Sequence, residues 1–320
     1  MISLGIESTA HTFGISLVDF EKKKILTNEK VVFSPPEGKG MLPRECADFH
    51  AKNAPELLRG INFDNVDIIS YSQGPGIGQM LSVGSFLARY ISLKYNKPLV
   101  GVNHCTAHLE ISNMLNNTKN PVMLYVSGGN TQVIAFHNKK YRIFGETLDI
   151  ALGNLFDTFG RKAGINFPSG QEIEKLAKKG KYIELPYTVK GMDVSFSGIL
   201  TSAVNKLKQG AKLEDICYSL QETCFSMMVE VSERAMSHCR INELIVAGGV
   251  AANKRLQEMC KVMCKERNAE FYSIPIEYAG DNPAMIAWLG ALEYNSGVKT
   301  KVSEPSNQNW RTDQVEVIWK

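Results

Sequence analysis

One pattern occurs twice in this chain, and that recurrence limits the folds open to it. Residues 2–6 (Ile-Ser-Leu-Gly-Ile) alternate as a strand does, residues 7–12 form a small polar turn, and residues 14–18 and 25–33 supply two more strands. Strands joined by tight turns pair antiparallel, so the chain opens as a meander. The same order returns at residues 122–126, with the turn Ser127-Gly128-Gly129-Asn130-Thr131, a return strand at 132–137 and a further strand at 141–144. Each copy is followed by a buried-type strand that runs through glycines into a helix. The first is 67–71, then Ser72-Gln73-Gly74-Pro75-Gly76-Ile77-Gly78, then a helix over 79–95; the second is 244–247, then Gly248-Gly249-Val250-Ala251-Ala252-Asn253, then a helix from Lys254. Strand, glycine loop and helix aim backbone N–H groups at an anion. The first loop is neither G-x-G-x-x-G nor a P-loop, since no Gly-Lys-Ser/Thr follows. Successive N–H groups in Ser127-Gly128-Gly129 can form an anion-binding nest, or the segment is an ordinary hairpin turn.

The repeat predicts two related α/β lobes. Residues 1–118 are expected to form the first, joined by a tail from about 296 to 320, and residues 119–295 the second, which carries the nucleotide-binding turns. A Gly-rich loop follows Pro35-Pro36, and Pro43 opens a helix to Arg59 on which Glu45 and His50 read as solvated. Further helices are expected over 149–162 with Asp157, from Pro168-Ser169-Gly170 with Glu174, after Ser195-Phe196-Ser197-Gly198, over 213–239 and over 284–294, with a last short strand at Val315, Val317 and Trp319. With Pro283 at the first helical position, Asn282 falls at the N-cap, and Asp281 lies one residue outside the helix.

Composition excludes more than it assigns. No apolar run reaches the roughly 18 residues a membrane span needs, and the first residues lack a basic segment followed by an apolar core. Seven cysteines without a C-x-x-C pair read as reduced thiols of a cytoplasmic protein. A net charge of +3 permits binding of a polyanion without announcing it, and Lys175, Lys178, Lys179 and Lys181 read as a solvated face.

His104 and His108, two of six histidines, stand four residues apart where an apolar run enters a helix. Positions i and i+4 lie on one helix face, so both imidazoles point the same way and suit one borderline metal ion. The zincin protease pattern needs a glutamate between the histidines. Here the spacer is Cys105-Thr106-Ala107, which argues against proteolysis.

Two duplicated lobes with small-residue turns are the outline of the actin/Hsp70/sugar-kinase fold. Within it the chain resembles the tRNA threonylcarbamoyladenosine transferases, in particular the archaeal and eukaryotic catalytic subunit of the KEOPS complex. The resemblance rests on Gly5-Ile6-Glu7-Ser8-Thr9-Ala10-His11-Thr12, Ser72-Gln73-Gly74-Pro75-Gly76, Gly101-Val102-Asn103-His104-Cys105-Thr106-Ala107-His108, Tyr125-Val126-Ser127-Gly128-Gly129-Asn130-Thr131-Gln132, Phe144-Gly145-Glu146-Thr147-Leu148-Asp149, Gly248 through Asn253, and Arg311-Thr312-Asp313. It implies transfer of a threonylcarbamoyl group from threonylcarbamoyl-adenylate to N6 of the adenosine beside the tRNA anticodon, with release of AMP. It further implies His104, His108 and Asp281 as metal ligands and catalytic residues, with Tyr125 as a fourth ligand. Tyr125, Val126, Ser127, Gly128, Gly129, Asp157, Gly170, Glu174 and Asn253 match positions that hold the adenylate. The implied metal is iron, with zinc the alternative, and the implied partners are tRNA, a kinase-like subunit and a small dimer-forming subunit. Bacterial members carry an acidic residue where this chain has His11, and Pro283 replaces a usual glycine. Competing readings are an ATP-dependent kinase or ATPase of the same fold, a metal-dependent peptidase, and a non-catalytic scaffold.

Overall fold

The structure, a computed structural model, describes residues 1–35 and 41–320. The Gly-rich loop expected after Pro35-Pro36 falls on residues 36–40, outside the described residues. In chain order the first elements are β1 (Ile2–Glu7), β2 (Thr12–Asp19), β3 (Lys24–Val32), α1 (Pro43–Leu57), β4 (Ile68–Gly74), α2 (Gly78–Tyr95), β5 (Leu99–Asn103) and α3 (His104–Asn116). There follow β6 (Val122–Val126), β7 (Thr131–His137), β8 (Lys140–Glu146), α4 (Leu152–Ala163) and α5 (Gly170–Ala177). Two short strands, β9 (Val189–Lys190) and β10 (Asp193–Val194), precede α6 (Ser197–Lys208), α7 (Leu213–Cys239), β11 (Glu243–Ala247), α8 (Lys254–Glu266) and β12 (Glu270–Ser273). The chain closes with α9 (Ile276–Ala279) and α10 (Pro283–Asn295).

The repeat is realised as two five-stranded sheets of the same order, β3-β2-β1-β4-β5 and β8-β7-β6-β11-β12. In both, the first two strands of the meander pair antiparallel, and the strand entering the glycine loop lies parallel to the first. The right-hand edge of each sheet is again parallel, β4 with β5 and β11 with β12. Strands buried on both faces need continuous apolar runs, and β4 is buried along its whole length.

The chain divides into two compact units, one of Met1–Leu115, Asn138–Tyr141 and Asp281–Lys320, the other of Asn116–His137 and Arg142–Gly280. The return to the first unit therefore comes at Asp281, where the sequence reading put it near residue 296. The cause is α10, whose residues from Pro283 to Ala291 are all buried. A Cβ on Gly5 of β1 would strike the backbone nitrogen of Ala287 and the carbonyl of Pro283, so helix and strand touch main chain to main chain. Two other expectations need correction. No strand forms over 315–319; a 3₁₀ turn at Thr312–Gln314 ends just before it, and the segment itself is irregular, its Val317 N–H donating to the Lys139 carbonyl. His50 is fully buried, because α1 turns Cys46, His50 and Ala54, spaced at i, i+4 and i+8, into the core. It packs against Phe13, and burial drops its pKa to about 4.

One buried acid in α10 gives the stability a pH slope. Glu293 has its pKa raised from its ordinary 4.5 to about 8, by burial first and by the Glu110 carboxylate second. The folded chain then holds a proton that the unfolded chain releases, so stability falls as pH rises from about 4.5 to about 8 and levels off above. The full effect is on the order of 5 kcal/mol at most. Glu293→Gln is expected to flatten that slope, as read by chemical denaturation at pH 5.5 and pH 8.5. An unchanged slope would contradict the assignment.

Candidate metal centre and nucleotide turns

The metal-ligand geometry lies wholly within the first unit. The parallel strand β5 passes directly into α3, because its last residue, Asn103, caps the helix: its Oδ1 accepts the N–H of Thr106 at 3.0 Å. His104 is thereby the first helical residue and His108 sits one turn further on. Their ring centroids are 4.8 Å apart and nearly perpendicular. Asp281 arrives from the other end of the sequence. Asn282 caps α10 by accepting the Met285 N–H at 3.1 Å, which leaves the Asp281 carboxylate uncommitted to capping. Its Oδ1 lies 3.3 Å from Nε2 of His104 and 3.3 Å from Nε2 of His108. One ligand atom from each of the three residues falls within 4.8 Å of the others.

Glu7, to which the sequence reading gave no role, completes the arrangement. Its side chain is fully buried at the end of β1, and Nδ1–H of His104 donates to its Oε2 at 3.0 Å. The other oxygen, Oε1, accepts the Thr9 N–H at 2.8 Å and the Thr9 hydroxyl at 2.5 Å. A carboxylate can only accept, so a proton of His104 is held on Nδ1, and Nε2 is the nitrogen turned toward Asp281. The available signal was a charged residue closing an otherwise uncharged strand.

Charge is balanced within this group. Burial opposes a charged His104, but the Glu7 and Asp281 carboxylates override it and hold its pKa well above the ordinary value. Burial holds His108 below its ordinary value despite the hydrogen bond to Asp281. Burial would raise Asp281, yet the two imidazoles pull it well below the carboxylate range. Once a cation takes the place of the Nε2 proton of His104, two imidazole nitrogens and a carboxylate, with Nδ1–H held by an outer carboxylate, are a fitting donor set for a borderline cation.

The residues expected around a nucleotide all belong to the second unit. Tyr125 and Val126 end β6, and Ser127 opens the turn to β7, its Oγ accepting the Asn130 N–H at 3.0 Å. Gly153 near the start of α4 is pressed against this turn, where a Cβ would lie 2.7 Å from the Ser127 carbonyl. At Gly128, Gly129 and Gly170 a Cβ would meet nothing within 4 Å, so packing does not require glycine there. Asp157 on α4 accepts the Ser169 N–H at 2.8 Å, and burial raises its pKa. Glu174 on α5 accepts the Lys254 N–H at 3.0 Å, and Asn253 caps α8 through the N–H groups of Arg255 and Leu256. A cavity of about 590 Å³ opens beside them, lined by Glu174, Lys178, Tyr218, Gln221, Lys254 and Arg255. The lysines at 175, 178, 179 and 181 are exposed, as a solvated face would be.

Repeated sheet order and glycine turns define the chain as a duplicated actin-like α/β protein of the sugar-kinase type, with a His-His-Asp centre in its first unit. Solved structures agree on the fold. HypF of T. kodakarensis aligns with TM-score 0.60 at 16% identity over 92% of this chain and 48% of that one. A ROK family glucokinase from Streptomyces griseus aligns with TM-score 0.52 at 13% identity over 91% and 99%. The family model for tRNA N6-adenosine threonylcarbamoyltransferase (TsaD) matches residues 23–288. The enzyme of that name from Thermococcus gammatolerans is 52% identical over the whole of both chains. A probable bifunctional tRNA threonylcarbamoyladenosine biosynthesis protein from Methanocaldococcus jannaschii is 50% identical over all of this chain and 60% of its own length. The chain belongs to the tRNA N6-adenosine threonylcarbamoyltransferase family.

Proposed function

We propose that this chain transfers the threonylcarbamoyl group of threonylcarbamoyl-adenylate to N6 of the adenosine adjacent to the tRNA anticodon. The N6 amine forms a bond to the carbamoyl carbon and loses a proton, the bond from that carbon to the phosphate oxygen breaks, and AMP leaves. The observation that carries the reading is the convergence of His104, His108 and Asp281 beside a tautomer-fixing Glu7, in a chain of this family. A kinase has no use for such a centre, and a zincin would need a glutamate within the spacer Cys105-Thr106-Ala107.

His104, His108 and Asp281 would hold the metal ion, with Tyr125 as a fourth ligand; iron is proposed and zinc is the alternative. When bound, the ion would supply Lewis-acid polarisation of the carbamoyl oxygen. In the second unit, the backbone N–H groups of Gly128 and Gly129 would take the phosphate, the Ser127 N–H being spent on the Asn130 carbonyl at 2.8 Å, and Asp157 and Glu174 would take the ribose. Each of those carboxylates has one oxygen engaged by a backbone N–H, leaving the other for a hydroxyl. Val126, Gly170 and Asn253 complete the nucleotide side, Asn253 through the helix end it caps.

Open space at Gly128 gives this reading a direct test. Because a Cβ there touches nothing, Gly128→Ala is expected to leave thermal stability unchanged. The added methyl would project into the space reserved for phosphate and weaken adenine-nucleotide binding at least about tenfold, a loss of about 1.4 kcal/mol. Calorimetric titration with AMP checks this, and unaltered affinity in the stable variant would count against the nest.

Partner subunits of the KEOPS type, including a small dimer-forming one and a kinase-like one, are part of the proposal. Helix α2 leaves Phe86, Tyr90 and Leu93 exposed at 73%, 51% and 67%, spaced at i, i+4 and i+7 as one stripe. Such a stripe suits a partner helix. No described helix is long and apolar enough to cross a membrane, and a cytoplasmic site of action is proposed. The deciding experiment incubates the chain, alone and with its partners, with unmodified tRNA and threonylcarbamoyl-adenylate, followed by nucleoside analysis. Absence of threonylcarbamoyladenosine in both would reject the function.

A further inference from the structure

The third proposed metal ligand sits where the chain returns to the first unit. Asp281 is the first residue of the first unit after the chain leaves the second, and it lies outside α10. Something other than helix geometry must therefore hold its main chain. The edge strand β3 does so. Lys30, half-buried, donates from Nζ to the Asp281 carbonyl at 3.1 Å, across 251 positions of sequence. Two residues earlier on the same face of β3, Asn28 Oδ1 accepts the Ala284 N–H at 3.3 Å. In the register of the sheet Lys30 stands opposite Gly14 of β2. A Cβ on Gly14 would lie 2.8 Å from Cδ of Pro283, so the missing side chain is what lets the 281–284 turn settle on the strands.

We propose that Lys30 is a positioning residue for the metal centre: it fixes the Asp281 main chain so that the carboxylate stays directed at Nε2 of both histidines. This rests on the assignment of His104, His108 and Asp281 as metal ligands. Two physical effects of Lys30 have opposite signs. As a charge alone, an ammonium near a cation site opposes cation binding, and its removal would tighten binding. As a clamp, it supplies a hydrogen bond that an outer-shell partner contributes to a ligand, and its loss weakens binding about 10-fold or more. The direct bond to the ligand residue favours the clamp.

The test measures Zn²⁺ affinity of the full chain by competition with a chromogenic chelator, alongside circular dichroism. Lys30→Met is expected to bind Zn²⁺ about tenfold more weakly than the unaltered chain, and Lys30→Arg, which keeps a charged donor, to recover most of that loss. If the methionine variant does not fold, Lys30→Gln takes its place, since its shorter side chain gives up the reach to the carbonyl. Equal or tighter binding by the folded neutral variant, with the unaltered chain binding normally, would overturn the clamp while leaving the ligand assignment standing. Absence of Zn²⁺ binding by the unaltered chain would overturn the ligand assignment and the clamp with it.

Discussion

Asp281→Ala is expected to yield a folded chain that purifies without metal and transfers threonylcarbamoyl at least about 10³-fold more slowly. Both Nε2 nitrogens face the carboxylate, each at 3.3 Å. Its loss removes the only carboxylate of the proposed ligand set and leaves that set one ligand short. The fold should survive, because Asn282 keeps its cap on α10 and the carbonyl accepting from Lys30 belongs to the main chain. Elemental analysis and the tRNA nucleoside assay read the two effects separately. Full metal occupancy in this variant would defeat the ligand assignment whatever the activity.

The second large effect concerns Glu7. Glu7→Gln is nearly isosteric, and its amide oxygen can go on accepting the two donors of Thr9 now held by Oε1. Its NH₂ group then faces Nδ1 of His104, where the carboxylate used to accept. The imidazole meets that donor by moving its proton to Nε2, the nitrogen required for the metal. Metal affinity should fall about 10- to 100-fold with little change in folding. Glu7→Ala would instead leave three buried donors without an acceptor, at about 1–3 kcal/mol each, and is expected to destabilise the chain outright. The comparison separates tautomer control from structural support. Affinity in the glutamine variant equal to that of the unaltered chain would remove Glu7 from the metal centre.

Helix spacing made His104 and His108 legible as a pair, because period 3.6 puts i and i+4 on one face whatever the rest of the chain does. Asn282 was legible as a cap for a similar local reason, since proline at the first helical position fixes where the helix begins. Glu7 was not legible as an outer partner of His104, for the bond between them spans 97 positions and depends on β1 lying against the β4–β5 edge. Nor was Lys30, which reads as one more lysine on an edge strand until the register sets it opposite Gly14. His50 misled because a polar residue in an amphipathic helix is solvated more often than not, and only the packing of α1 shows that its Cys46–His50–Ala54 face turns inward.

The sequence by itself determined the duplicated α/β architecture, since turn chemistry and alternation are local properties and the same local pattern was written twice. It also determined the two imidazoles of the donor set, because helical spacing carries that information without a fold, while Asp281 was implied only by the family resemblance. Tertiary structure alone decided which unit owns α10, since a helix apolar on every side can pack against either sheet, and close contact at Gly5 selects the first. It alone decided how the ligands are held. Those bonds join residues 97 to 251 positions apart, and their partners are matched by strand register, which no local pattern encodes.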